Sequence, residues 1–194
     1  ENIGCNVLFL PEVQEIYPKG LAKKKIVNNF RNILCDKFRP GHFDGVTTVV
    51  DLFFNMIKPT NSYFGEKDFQ QVKIIQDLVK INHHNIKIIQ CPSVRDKMGM
   101  SLSSRNSKFS SDQFKIFNVL GNKIKEHINL LTQKEINNLD QLKIELLQNN
   151  INKIDYLEIR NENNLEITKN YSEARLFIAL YISDIRIIDN FKLY

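Results

Sequence analysis

The chain has 194 residues, of which 42% are hydrophobic and 25% charged, with a formal net charge of +5. These values are ordinary for a globular protein with a real core, so they exclude a disordered chain and a coiled coil, and the spread of Lys and Arg does not indicate nucleic acid as a partner. With no apolar run near the roughly 20 residues of a membrane span, no signal peptide and no disulfide or zinc spacing among Cys5, Cys35 and Cys91, we expect a cytoplasmic protein without a membrane partner.

The first half of the chain alternates between predicted strands and helices. Asn6 to Leu10 predicts a strand, and Pro11 to Glu15 predicts a short helix with Pro in its first turn. Apolar spacing predicts a buried helix from Gly45 to Met56. A strand, a helix and a strand then follow over Thr60 to Phe64, Phe69 to Ile81 and Ile86 to Cys91. This order implies a parallel sheet with crossover helices, so the fold class is α/β.

The pattern changes after Pro92, where we place a domain boundary. Ser110 and Gln113 form a predicted capping box that opens a long amphipathic helix to about Leu131. A further helix and three strands are predicted over Leu139 to Gln148, Asp155 to Arg160, Ala174 to Ile182 and Ile185 to Asp189. Since no long crossovers join these strands, residues 92–194 are expected to form an antiparallel α+β unit.

Two polar segments follow predicted strands of the parallel sheet. Gly65-Glu66-Lys67-Asp68 comes after the apolar run that ends at Phe64, and Ser101 to Asn106 comes some ten residues after the run that ends at Cys91. In open α/β sheets ligands collect at the carboxyl ends of the strands, so both segments are expected to face one polyanion. Lys67 and Arg105 would be its clamps.

Three motifs carry a resemblance to a known family. They are Arg39-Pro40-Gly41-His42-Phe43-Asp44-Gly45-Val46, the segment from Phe64 to Gln71, and Val94-Arg95-Asp96-Lys97 followed by Leu102 to Asn106. With weaker similarity at Glu15 to Pro18 and from Ala174 through Asp189, including Asp184 to Asn190, the chain resembles the pantoate-beta-alanine ligase (pantothenate synthetase) family over essentially its whole length.

The resemblance implies a fold and a division into domains. The fold would be the Rossmann-like parallel sheet of the nucleotidyltransferase (HIGH) superfamily, with a smaller C-terminal α+β domain. Residues 1–91 would be the remainder of the nucleotide- and pantoate-binding domain. Residues 92–194 would be a lid domain that carries the Ser-Ser-Arg-Asn motif and closes over the nucleotide.

The resemblance also implies a reaction, which is the ATP-dependent condensation of pantoate with beta-alanine to pantothenate. A pantoyl adenylate would form from pantoate and magnesium-bound ATP with release of pyrophosphate, and the amine of beta-alanine would then displace AMP. The family further implies a homodimer formed through the N-terminal domain.

The site residues are carried over by their match to the family motifs. Lys67, Ser103, Ser104 and Arg105 would be catalytic, and Gln71 would bind pantoate. The ATP contacts would be Gly65, Glu66, Lys67, Asp68, Val94, Leu102, Ser103, Ser104 and Arg105. No protein ligand to the metal is expected. Arg39 and His42 match a family segment near the active site, but His42 is read equally well as a packing histidine beside Gly41.

The sequence departs from the family at its start. The family opens with a strand and an H-x-G-H motif whose histidines hold the triphosphate, and this sequence lacks that motif. We therefore expect the chain to correspond to the family from the middle of its nucleotide-binding domain onward. The alternative function is an inactive fragment that only binds nucleotide or dimerises.

Overall fold

The computed structural model describes residues 4–18, 20, 23–83, 85–133 and 139–194; parts of both predicted domain ranges lie outside these residues. The helices are α1 (Val13–Ile16), α2 (Leu34–Phe38), α3 (His42–Ile57), α4 (Phe69–Asn82), α5 (Ser111–Thr132) and α6 (Asp140–Gln148). The strands are β1 (Asn61–Gly65), β2 (Lys87–Cys91), β3 (Lys153–Asn161), β4 (Ala174–Ile182) and β5 (Ile185–Lys192). No helix within the described ranges is long and apolar enough to cross a membrane.

The predicted parallel sheet is confirmed. Strands β1 and β2 pair in parallel from Asn61 opposite Lys87 to Gly65 opposite Cys91, and α4 provides the crossover between them. The predicted apolar face of α4 is buried, at Val72, Ile75, Leu78 and Val79. Because Gly65 and Cys91 are paired, the segments that follow β1 and β2 start from the same edge of the sheet.

The predicted antiparallel unit is confirmed as a three-stranded sheet in the order β3-β4-β5. Strand β4 is buried on both faces because it lies between two hydrophobic cores. Leu176, Ile178 and Leu180 face the core that includes α5 and α6. Phe177 belongs to the other core, and its ring packs edge to face on Phe69 of α4 with centroids 5.7 Å apart.

The domain division at residues 91 and 92 stays a prediction. Apolar packing crosses that division, since Tyr156, Phe177 and Ala179 share a core with the buried side chains of α2, α3 and α4.

Local signals explain where two of the helices begin. Ser110 Oγ accepts from the Gln113 amide at 3.3 Å, and the Gln113 side chain accepts from the Ser110 amide at 2.9 Å, so the predicted capping box of α5 is confirmed. Helix α3 begins at His42, three residues before the predicted start. Gly41 precedes the helix with a φ of 76°, a left-handed conformation that glycine adopts readily because it has no Cβ.

Two local predictions were wrong or incomplete. The predicted strand at Asn6 to Leu10 does not form, and its apolar residues Val7, Leu8 and Leu10 are at least 77% exposed. A strand is stable only when a neighbour completes its ladder, and within the described ranges β1 pairs with β2 alone. Helix α2 was not predicted, because its five residues are too few to show a helical period.

Opposite stability changes are expected for two glycine substitutions in helices. A Cβ at Gly121 of α5 would lie 2.8 Å from Met98 Cβ and 3.0 Å from the Met98 carbonyl oxygen, whereas a Cβ at Gly45 of α3 would meet nothing within 4 Å. Alanine normally gains up to about 1 kcal/mol over glycine in a helix, but overpacking costs about 1–3 kcal/mol. Urea unfolding should therefore show Gly45→Ala stabilised and Gly121→Ala destabilised by roughly 1 kcal/mol. Stabilisation by Gly121→Ala would contradict the close packing of Met98 on α5.

Candidate active site

Lys67 brings the two predicted polar segments together. It lies in a 3-10 turn over Glu66–Asp68, directly after β1, and its side chain is half-buried. Lys67 Nζ donates to the Leu102 carbonyl oxygen at 3.4 Å. The segment that follows β1 therefore contacts the segment that follows β2, as expected for two parallel strands that end at the same edge of a sheet.

Two adjoining cavities share Lys67 in their walls. The first is also lined by Ser101, Ser103, Arg105 and Arg186. The second is lined by several predicted or possible site residues, including Arg39, His42, Asp68 and Gln71. They also share Ile188 of β5, and we refer to the two adjoining cavities together as the cleft.

The remaining predicted ATP contacts lie around this cleft. Ser104 is exposed on the segment that follows Ser103. Val94 and Leu102 are exposed side by side, because the Leu102 amide donates to the Val94 carbonyl at 2.8 Å. Gly65 ends β1, immediately before the turn that carries Lys67.

The first cavity has a strongly positive wall. Lys67, Arg105 and Arg186 all line it. Burial lowers the pKa of Lys67 from its ordinary value and Arg105 lowers it further, while Asp189 and Asp68 act in the opposite direction. Arg186 is paired with Asp155 at 2.8 Å, so Lys67 and Arg105 are the cations that favour an anion in this small cavity, as their predicted clamp role requires.

The segment with the serines is held by a tight hairpin. Arg95 and Ser101 form an antiparallel bridge, and Gly99 between them takes the left-handed conformation with a φ of 85°. The Asp96 carboxylate accepts from the amides of Met98 and Met100, each at 2.9 Å. The hairpin gives Ser101, and the motif that follows it, a defined starting point.

Sequence reasoning missed two buried polar residues in the middle of β5. Asp189 accepts from the Ser101 amide at 2.7 Å and from Ser101 Oγ at 2.5 Å. Asn190 Nδ2 donates to the carbonyl oxygens of Glu66 at 2.9 Å and Lys67 at 3.1 Å. The signal was available, because two adjacent polar residues follow the apolar pair Ile187-Ile188 at the end of a predicted strand and precede Phe191.

Sequence reasoning also missed Arg175, whose guanidinium forms an ion pair with the Glu66 carboxylate. Only 1% of Arg175 is exposed. Its guanidinium donates to Glu66 at 2.5 Å, to Glu162 at 2.8 Å and to the Asn190 side-chain oxygen at 2.7 Å, and it stacks on the Phe69 ring. The Glu66 carboxylate therefore serves this buried ion pair, as a charged group in the interior must be paired.

Neighbouring glutamines at the start of α4 have different environments. Gln70 is buried, accepts from the Cys35 amide at 2.9 Å and donates to the carbonyls of Phe30 and Ile33. Gln71 is partly exposed and lines the second cavity. Gln70 lines the same cavity, but its side chain is already hydrogen-bonded to these main-chain groups.

His42 faces the cleft from the start of α3. Arg39 lies 2.8 Å from His42 Nε2, and because a guanidinium only donates, Nε2 is the unprotonated acceptor. Burial and the Arg39 charge both lower the pKa of His42 below its ordinary value. The reading of His42 as a cleft residue is supported by this placement, although its ring also lies against Phe43.

Metal ligands do not cluster in the part of the chain that the structure describes. No group of three or more His, Cys, Asp or Glu side chains there is arranged to hold an ion.

Comparison with known proteins gives consistent matches. A family model described as Pantoate-beta-alanine ligase matches residues 1–192. A pantothenate synthetase from Caldicellulosiruptor bescii is 37% identical over 98% of this chain and 69% of its own length, and one from Clostridium botulinum matches equally well. The crystal structure of pantothenate synthetase from Thermus thermophilus superposes with a TM-score of 0.88 at 31% identity, covering 100% of this chain and 71% of that one.

A further solved structure contains ligands. It is a pantoate-beta-alanine ligase from Francisella tularensis described as complexed with beta-gamma ATP and beta-alanine. It matches with a TM-score of 0.76 at 36% identity, over 93% of this chain and 62% of that one.

The protonation of His42 provides a test of the cleft geometry. Because burial and Arg39 lower its pKa, the ring should titrate below its ordinary value of 6.5, and Arg39→Ala should move the midpoint upward. The unfolded ring takes up its proton at higher pH than the folded ring, so acidification through that window should lower the free energy of unfolding. Histidine-resolved NMR titration measures the midpoint, with His42→Gln identifying the resonance. A midpoint unmoved by Arg39→Ala would contradict the contact.

Proposed function

Since this chain belongs to the pantoate-beta-alanine ligase family, a family of ligases that form carbon-nitrogen bonds, we propose that its cleft binds ATP and joins pantoate to beta-alanine. The single observation that carries this proposal is the convergence of Lys67, Ser103 and Arg105 on one cavity from segments 36 positions apart in sequence. The ATP and beta-alanine named for the Francisella tularensis structure support the same substrates.

The nucleotide phosphates would lie in the first cavity. Arg105 offers a planar fork of donors for two phosphate oxygens, Lys67 acts as a point charge, and Ser103 and Ser104 add small hydroxyl donors. Arg186 is a third cation on the same wall that the sequence did not single out. Since Arg175 holds the Glu66 carboxylate, Glu66 would contact ATP through its main chain.

Magnesium would enter with the phosphates. Mg²⁺ prefers oxygen ligands and retains several waters, so phosphate oxygens and water would supply most of its shell. Among the residues that the structure describes, the cavity wall carries cations and hydroxyls but no carboxylate, which suits a site that receives the ion already bound to ATP. The ion would neutralise charge on the leaving pyrophosphate.

Pantoate would lie in the second cavity beside Gln71. In the first step a carboxylate oxygen of pantoate attacks the α-phosphorus, the bond from that phosphorus to the bridging oxygen breaks, and pyrophosphate leaves. The product would be pantoyl adenylate. Donors already aimed at the charge that develops on the α-phosphate lower this barrier, which is the role of Lys67 and Arg105.

Beta-alanine would complete the reaction. Its neutral amine attacks the acyl carbon of the adenylate, the bond to the phosphate oxygen breaks, AMP leaves, and the nitrogen gives up a proton. Because both steps are displacements between bound groups, alignment supplies much of the catalysis. No covalent bond to the protein is needed.

Three further expectations stay predictions. A homodimer would show twice the chain mass in sedimentation equilibrium. The cytoplasmic location needs localisation in cells. The lid motion of residues 92–194 would appear as a difference in domain separation between nucleotide-free and nucleotide-bound protein.

The alternative function is a module that binds nucleotide without forming pantothenate. The positive cavity fits both readings, since ATP binding is common to them. Only a ligase would form pantothenate and transfer a carboxylate oxygen of pantoate to AMP, so either measurement separates the two functions.

Removing the clamps should weaken ATP binding. Lys67→Ala and Arg105→Ala each delete a cation from the cavity wall, so we expect the Kd for magnesium-ATP to rise at least about tenfold and kcat to fall about 10²- to 10³-fold. Calorimetric titration and a pantothenate assay measure the two effects. Lys80→Ala, at the exposed far end of α4, is the control and should behave as wild type. Equal ATP affinity in all three variants and wild type would contradict the proposed site.

The adenylate intermediate is tested by an oxygen label. Pantoate labelled with ¹⁸O in its carboxylate should transfer one labelled oxygen to AMP, because that oxygen bonds to the α-phosphorus in the first step and stays there when the amine displaces AMP. Mass spectrometry of AMP measures the transfer. Label confined to pantothenate would contradict an acyl-adenylate route while leaving ATP binding intact.

A further inference from the structure

We infer that the adjacent residues Asp189 and Asn190 of β5 are positioning residues for ATP, because together they set the spacing between the two phosphate-binding segments. One segment carries Lys67 and the other carries Ser103 and Arg105. The inference rests on the proposed function and extends it to two buried residues of the second cavity's wall, with 3% and 1% of their surfaces exposed.

Asp189 holds the segment that carries the serines. Its carboxylate accepts from both the amide and the hydroxyl of Ser101, at 2.7 and 2.5 Å, which is a two-point attachment two residues before Ser103. Arg95 on the other side of the hairpin pairs with the same carboxylate at 3.2 Å. Both strands of the hairpin are therefore fastened to one side chain.

Asn190 holds the segment that carries the lysine. Its Nδ2 donates to the carbonyl oxygens of Glu66 and Lys67, and its Oδ1 accepts from Arg175 at 2.7 Å. The amide can satisfy these three groups in one orientation only, because Arg175 has no acceptor to offer. The main-chain direction from which the Lys67 side chain departs is fixed by this amide.

The two segments are attached to adjacent residues of β5, Asp189 and Asn190. Successive side chains of a strand point to opposite sides, so neighbouring residues reach in opposite directions, one to each segment. The direct hydrogen bond between the segments, from Lys67 Nζ to Leu102, is long at 3.4 Å and is free to be replaced by a phosphate oxygen. With ATP bound, the spacing of Lys67 from Arg105 therefore depends on Asp189 and Asn190.

Asn190→Asp tests the inference with little change in size. The new carboxylate keeps the partner Arg175 but turns an oxygen toward the carbonyls of Glu66 and Lys67, which should displace that segment. We expect the Kd for magnesium-ATP to rise at least about tenfold by calorimetric titration, well below the melting temperature. If Asn190→Asp does not fold, Asn190→Ala is measured against the same criterion.

Leu142→Ala is the matched control for stability. Leu142 is fully buried in the core of α5 and α6 and lines neither cavity, so its truncation should lower the melting temperature and leave ATP affinity unchanged. A purely structural role for Asn190 would make the two variants alike. If folded Asn190→Asp binds ATP as tightly as wild type while Lys67→Ala binds it more weakly, this inference is overturned and the proposed function stands. A wild type that binds no ATP overturns the proposed function, and the inference with it.

Discussion

The cleft depends on one constraint, which is that polar groups carried into the interior by β4 and β5 must be hydrogen-bonded. Leaving any of them unpaired would cost several kcal/mol in a low-dielectric core. Arg175, Asp189 and Asn190 satisfy this requirement with partners from the turn after β1 and the hairpin after β2. The pairing of buried groups therefore also assembles the walls of the cleft.

The sequence predicted what depends on local or periodic signals. The apolar period of α4, the capping box at Ser110 and the parallel order of β1 and β2 were all visible in the chain. Lys67 and Arg105 line one cavity, and the carboxyl ends of neighbouring parallel strands share an edge, which is why the sequence could indicate their proximity; their role stays a prediction. The predicted family and ligase class are likewise confirmed by the comparisons.

Non-local partners are what the sequence did not reveal. The strand predicted from Asn6 to Leu10 has the right composition, but a strand's stability lies in its neighbour. The pair between Arg175 and Glu66 joins residues 109 positions apart, and no periodicity connects them. This pair also changes how Glu66 is interpreted. Its match to a family motif implies an ATP contact, but its carboxylate is paired with the buried Arg175.

Strand β5 also has a consequence for the order in which the molecule forms. It follows every other described element along the chain, so during synthesis, at roughly 5–20 residues per second, the turn at Lys67 exists for several seconds before Asn190 emerges. The β1-α4-β2 unit can form early from nearby contacts, whereas closing a loop of more than a hundred residues is slow. The segments that carry Lys67 and Ser101 are thus joined through Asp189 and Asn190 only late in folding, when β5 docks.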